Sequence, residues 1–217
     1  MKRIATPAKY HGKVLLFGEY SVILDSKALI VPYRKVSAWL RFPGSGDFTG
    51  KAYESNQNLR LFSAYLHEKQ KKNPDLSNLD LARLYDDIAK GLYLESTIPG
   101  KYGLGSSGAL CAAIYGEYGT LSGLPVTELR TLLAGMESFF HGSSSGIDPL
   151  CIFTGKPWVV QGRGRLDPWV ASNWILPDLD VFLLDTQRQG HTGQLVDHFH
   201  RRMEELLEYH FRDQRPG

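Results

Sequence analysis

Eleven residues constrain this chain more than any other segment: Pro99-Gly100-Lys101-Tyr102-Gly103-Leu104-Gly105-Ser106-Ser107-Gly108-Ala109. An apolar run over 92–96 delivers the chain into closely spaced glycines and serines, and a breaker-poor stretch over 109–121 predicts a helix directly after them. Glycine lets the backbone turn tightly and approach a ligand with no Cβ in the way. The unpaired N–H groups at the start of the helix, with the helix dipole behind them, favour an anion. The paired hydroxyls of Ser106 and Ser107 can bond phosphate oxygens or ligate a hard cation. The loop lacks the Gly-Lys-Ser/Thr ending of a P-loop and the glycine spacing of a dinucleotide fold. Read by itself it favours a phosphate loop over an ordinary glycine-rich turn that caps a helix.

The rest of the chain suits one large domain or a domain and a half at 217 residues, with 42% hydrophobic residues to build a core. A formal charge of +2 makes no case for nucleic acid or a membrane surface as a partner. Two cysteines, Cys111 and Cys151, are too few for a disulfide framework and lack metal-type spacing, so buried free thiols are expected. With no signal-type apolar run after Met1 and no segment long enough to span a bilayer, a cytoplasmic protein is expected.

Periodicity predicts two short strands flanking a tight turn at Gly18-Glu19, and further strands over 28–32 and 36–42. Helices are expected over 59–72, 79–90 and 193–210, and from Val126 to about Phe140 with Thr127 as N-cap. Short strands are expected at Ile152-Phe153, Trp158–Val160 and Val181–Leu184. Such a mixture without regular βαβ alternation reads as α+β, and a domain boundary belongs in the Trp- and Pro-rich stretch over 164–177.

A second constellation lies at Glu137-Ser138-Phe139-Phe140-His141-Gly142-Ser143-Ser144-Ser145-Gly146-Ile147-Asp148. Glu137 falls near a helix C-terminus, where the dipole disfavours an acid, and Asp148 follows a small-residue loop. Two carboxylates with separate tasks, one on Mg²⁺ and one on an acceptor hydroxyl, are what phosphoryl transfer needs. Taken alone, the pair reads more simply as a solvated Glu and an Asp capping a turn. Lys13, inside an apolar strand run that ends at Glu19, gains meaning only if it meets Asp148.

Together these segments resemble the GHMP kinases, and among them the mevalonate kinases. His11-Gly12-Lys13-Val14-Leu15-Leu16-Phe17-Gly18-Glu19-Tyr20 is similar to their first motif, 99–109 to their phosphate loop, and 137–148 to the segment that supplies a metal ligand and a catalytic aspartate. Asp185–Val196, with Gly190-His191-Thr192-Gly193, resembles a later segment near the acceptor, although Gly193 stands where a basic residue is common. No third glycine-rich motif follows Val196.

The resemblance implies a two-domain fold with an N-terminal domain like domain 2 of ribosomal protein S5. That domain would cover 1–178, and 179–217 would be the start of a C-terminal domain largely absent here. It implies ATP and Mg²⁺ as cofactors and phosphorylation of a small alcohol, with mevalonate the leading acceptor. Phosphomevalonate, homoserine or a sugar, or a nucleotide-binding module without turnover, are the alternatives. Asp148 and Lys13 would be catalytic, and Gly103, Leu104, Gly105, Ser106, Ser107 and Gly108 would hold the nucleotide. Ser107 and Glu137 would hold the metal, and Glu19, His141 and Thr192 would lie at the acceptor. A homodimer is compatible with the family.

Overall fold

The computed structural model describes residues 7–19, 21–44, 48–72, 74–169, 184 and 197–206. Its organising element is one long strand, β2 (Ala28–Arg41), with β1 (Tyr10–Phe17) antiparallel along one edge. The other edge of β2 is shared. Its N-terminal end pairs with β4 (Trp158–Val160), which carries β5 (Leu166–Pro168), and its C-terminal end pairs with β3 (Tyr93–Ser96). All five strands are therefore antiparallel, and the helices pack on the sheet rather than alternating with it. The α+β expectation holds.

The two strand runs expected over 28–32 and 36–42 are halves of β2, joined through an irregularity opposite β1. Between His11 and Gly12 the partner moves from Ser37 to Tyr33, so Arg34, Lys35 and Val36 are extra residues on β2. The bulge leaves Val36 against Gly12: a Cβ on Gly12 would lie 2.8 Å from Val36 Cγ2. The expected hairpin at Gly18-Glu19 does not form. Ser21–Leu24 is a 3₁₀ turn, and β1 finds its partner in β2 instead.

Five helices occupy the middle of the chain: α1 (Gly50–Gln70), α2 (Leu81–Ala89), α3 (Ser106–Tyr118), α4 (Val126–His141) and α5 (Ile147–Thr154). Residues 197–206 form a further helix, α6, inside the expected span of 193–210. The strand expected at Val181–Leu184 falls almost wholly outside the described residues, as does the expected domain boundary near 178. α1 starts nine residues before its expected position because its first half is held by polar contacts that hydrophobic periodicity does not register. Asn56, fully buried, donates to the carbonyls of Ile88 and Leu92, and Ser55 exchanges bonds with the backbone of Leu94.

Two other expectations are corrected. Thr127 is not the N-cap of α4, because Pro125 holds that position and Thr127 lies inside the helix. Ile152-Phe153 is not a strand but the last turn of α5, bounded by left-handed Gly146 (φ 71°) and Gly155 (φ 61°). A two-residue apolar run carries no period, so only packing decides between helix and strand. Trp158 lies in the main core, and both cysteines are buried free thiols as expected. No helix among the described residues is long and apolar enough to cross a membrane.

α3 is the hub. Gly108 through Tyr115 are all buried, and the helix runs against the sheet, α4 and α5. Its first turn touches the first turn of α5 at Gly108, where a Cβ would sit 3.0 Å from the Pro149 nitrogen and 3.2 Å from the Asp148 carbonyl carbon. A Gly108→Ala change gains up to about 1 kcal/mol of helix propensity. It must also push two backbones apart, an overpacking that costs about 1–3 kcal/mol. Gly108→Ala is therefore expected to destabilise the protein by about 1 kcal/mol in a urea titration, against the sign that helix propensity alone would give.

Candidate active site

The loop between β3 and α3 reaches its helix through Gly103 (φ 69°) and Gly105 (φ 81°), both left-handed, with Gly105 as the N-cap. The first amide of α3 to find a helical partner is that of Ala109, which donates to Gly105 O at 2.9 Å. The N–H groups of Ser106, Ser107 and Gly108 therefore precede the helical ladder and form a positive end. A Cβ at Gly100 or Gly103 would meet nothing within 4 Å, so the outer side of the loop is open.

β1 is fastened to this loop by its backbone, since Lys13 N donates to Leu104 O at 3.0 Å. The Lys13 side chain then crosses Gly105 so closely that a Cβ there would lie 2.9 Å from Lys13 Cγ. Its ammonium ends 2.7 Å from Asp148 Oδ2, with the lysine side chain 9% exposed and the aspartate 34%. Asp148 sits in the first turn of α5, where the dipole also favours a carboxylate. The buried cation lies beneath a partly open anion, and the open side of Asp148 is free to meet a ligand.

Glu137, on α4, is 4% exposed, which overturns the simpler picture of a solvated acid. Its Oε1 accepts from Ser107 Oγ at 3.1 Å and its Oε2 from Ser144 Oγ at 2.5 Å. Burial pushes the Glu137 carboxyl up to about 7, and the neighbouring Asp148 charge adds to this; the two serine hydroxyls and Lys13 act the other way. Among the described residues no cation is ion-paired with it. The same burial pushes the Cys151 thiol up to about 12, with Asp148 contributing, so Cys151 is an inert neighbour.

The donors fit Mg²⁺. Ser107 Oγ and Glu137 Oε1 are hard oxygens 3.1 Å apart, close to the roughly 3.0 Å edge of an octahedron with ligands at about 2.1 Å. No group of three or more His, Cys, Asp or Glu able to hold a metal exists among the described residues. A cation here would complete its shell with phosphate oxygens and water, which is the habit of Mg²⁺ at nucleotide sites.

Of the residues singled out from sequence, Lys13, Gly103, Leu104, Gly105, Ser106, Ser107, Gly108, Glu137 and Asp148 form one cluster. His141 is exposed at its edge, with Nε2 3.4 Å from Ser107 Oγ. Glu19 is exposed on the turn after β1 and makes no ion pair among the described residues. Thr192 lies outside the described residues. Sequence reasoning missed Ser144, for which the Ser143-Ser144-Ser145 run was the only signal, and Arg130, which donates to the carbonyls of Ser145 and Gly164 and anchors the loop before α5. The cavity of about 560 Å³ at Pro32–Lys35, Gly155 and Pro157 shares no residue with the cluster.

Comparison with known proteins bears on this cluster. The family described as GHMP kinases N terminal domain matches residues 66–156, which include the loop, Glu137 and Asp148. The curated mevalonate kinase of Pyrococcus horikoshii is 29% identical over 216 residues, covering 91% of this chain. That of Thermococcus gammatolerans is 28% identical over 215 residues, with the same coverage. Over 66–156 the chain is similar to the GHMP kinases, and along most of its length to these mevalonate kinases. It spans 62% of the length of these relatives. The solved Methanococcus jannaschii mevalonate kinase aligns over 79% of this chain and 57% of its own, at 18% identity and a TM-score of 0.49.

The raised carboxyl makes stability depend on pH. Folded Glu137 holds its proton up to about 7, whereas the unfolded group releases it near 4.5. Between those values the native state binds the extra proton, so stability falls as pH rises from 4.5 through 7 and levels off above. The loss is on the order of 3 kcal/mol. Glu137→Gln should flatten that slope and leave the variant more stable than the parent at pH 8, as read by urea unfolding at pH 5 and 8. An unchanged slope in the variant would show that another group is responsible.

Proposed function

We propose that this chain is a GHMP-type kinase that binds ATP at the 99–109 loop and transfers the terminal phosphoryl group to the hydroxyl of a small molecule, with mevalonate the leading acceptor. The observation that carries the reading is the Lys13–Asp148 pair, held at 2.7 Å against the N-terminal turn of α3. Such a transfer needs alignment and charge neutralisation more than covalent help from the protein. The free amides of Ser106, Ser107 and Gly108 would bind phosphate oxygens, aided by the helix dipole. Ser107 and Glu137 would hold Mg²⁺, which when bound offsets the negative charge spreading over the transferred group.

Asp148 would accept a hydrogen bond from the acceptor hydroxyl and aim its oxygen in line. A carboxylate paired with a lysine is a weak base toward an alcohol, so the proton moves late, as the new O–P bond forms. Lys13, almost fully covered, supplies positive charge where the alkoxide develops, and its burial strengthens that field. Glu19, His141 and Thr192 are the residues we assign to acceptor binding. The mevalonate assignment is supported by the curated relatives, all named mevalonate kinase.

A second reading is a nucleotide-binding module that keeps the phosphate loop without turnover. Incubation of the chain with ATP, Mg²⁺ and a panel of mevalonate, phosphomevalonate, homoserine and sugars separates the two. Phosphorylated product supports the kinase, and nucleotide binding without product from any acceptor supports the module. For the kinase, Asp148→Asn should lower turnover by about 10²-fold or more while ATP affinity stays near the parent's. Near-parental turnover would remove Asp148 from the mechanism. Ser107→Ala should weaken Mg-nucleotide binding about tenfold, measured by calorimetry.

A further inference from the structure

The serine run before α5 holds a device that the phosphoryl-transfer scheme does not use. Ser143 is exposed, and Ser145 spends its carbonyl on Arg130 Nε at 2.7 Å. Ser144 differs from both. Its Oγ lies 3.0 Å from Gly146 N and 2.5 Å from Glu137 Oε2. An amide can only donate, so Ser144 Oγ is the acceptor in the first bond and its single proton is committed to Glu137 in the second.

Neither end of this bridge is free to drift. Gly146 is the left-handed N-cap of α5, and a Cβ there would lie 2.4 Å from Arg130 O and 2.9 Å from Ala134 Cβ, so the loop is pressed onto α4. Glu137 is buried on α4 with its other oxygen on Ser107. Asp148 follows Gly146 by two residues. Ser144 therefore joins the carboxyl group of one acid to the helix start that carries the other.

We propose that Ser144 is a positioning residue that keeps Glu137 a one-oxygen metal ligand, and so makes the site select Mg²⁺ over larger cations. The inference rests on the nucleotide-metal reading above. With Oε2 engaged by Ser144, only Oε1, the oxygen beside Ser107, faces the cation position. Single-oxygen ligation suits the small, strictly octahedral Mg²⁺, whereas Ca²⁺ accepts two-oxygen carboxylates and irregular shells. Without the Ser144 hydroxyl the carboxyl can turn to offer both oxygens.

The test is calorimetric binding of ADP to the parent and to Ser144→Ala, Ser144→Thr and Ser143→Ala, with Mg²⁺, with Ca²⁺ and with chelator. Ser144→Ala should lose about tenfold in Mg-dependent affinity, a typical cost for a lost outer partner of a metal ligand. Its Ca-dependent affinity should hold or rise, and its affinity in chelator should not change. Ser144→Thr should restore the Mg²⁺ preference, and Ser143→Ala should behave as the parent. Ser144→Cys, close in volume with a weak donor, should show the same shift in the Mg²⁺ to Ca²⁺ ratio, and carries the test if the alanine variant fails to fold. Equal losses under all three conditions, no change in the ratio, or failure of threonine to restore it would each overturn the inference. If the parent binds ADP no better with Mg²⁺ than with chelator, the metal reading itself fails and takes the inference with it. A parent with clear Mg²⁺ dependence and an unshifted variant refutes Ser144 alone.

Discussion

The close approach of two helix starts, α3 and α5, is the contact on which the rest of this structure depends. Gly108 allows it by having no Cβ where the backbone of Asp148 and Pro149 passes. Gly105 allows the Lys13 side chain to cross the loop, and Gly12 lets the bulged Val36 and the Leu104 carbonyl close in behind. Each glycine removes one methyl group from a place where another chain segment must lie. The result is two positive helix ends, a lysine and two acids in one small volume, and like or unlike charges at that range interact strongly.

That volume is electrostatically unfinished. Lys13 and Asp148 balance each other, but Glu137 is buried with two hydroxyls and no ion-paired partner of its own among the described residues. Burial of an uncompensated carboxyl costs stability, which is why its proton affinity rises. A cation bound beside it would offset that cost. Ser107 Oγ and Glu137 Oε1, hydrogen-bonded at 3.1 Å, would be two of the oxygens facing such a cation. The Ser144 bridge ties Glu137 to the start of α5, the helix that carries Asp148.

Much of the site was legible because its chemistry is local. The glycines and serines of 99–109 announce a loop and a helix start wherever they occur, whereas the helix start at Asp148 was not legible, because Ile152-Phe153 reads as a strand. What remained illegible was what depends on neighbours distant in sequence. The start of α1 went unseen because Asn56 and Ser55 are held by the backbones of Ile88, Leu92 and Leu94 rather than by an apolar stripe. The expected hairpin after β1 failed because β2, 14 residues long, offers a larger pairing surface than the four residues of Ser21–Leu24.

From its sequence alone this chain determined its α+β class, the anion-ready loop and the order of its motifs along the chain. These follow from backbone freedom at glycine, from periodicity and from hydroxyl chemistry, all of which act over a few residues. Tertiary structure alone decided that Lys13 reaches Asp148, that Glu137 is buried, and that Ser144 rather than its neighbours meets that acid. Those are matters of distance and desolvation between segments up to 135 residues apart, from Lys13 to Asp148, and no local pattern encodes them.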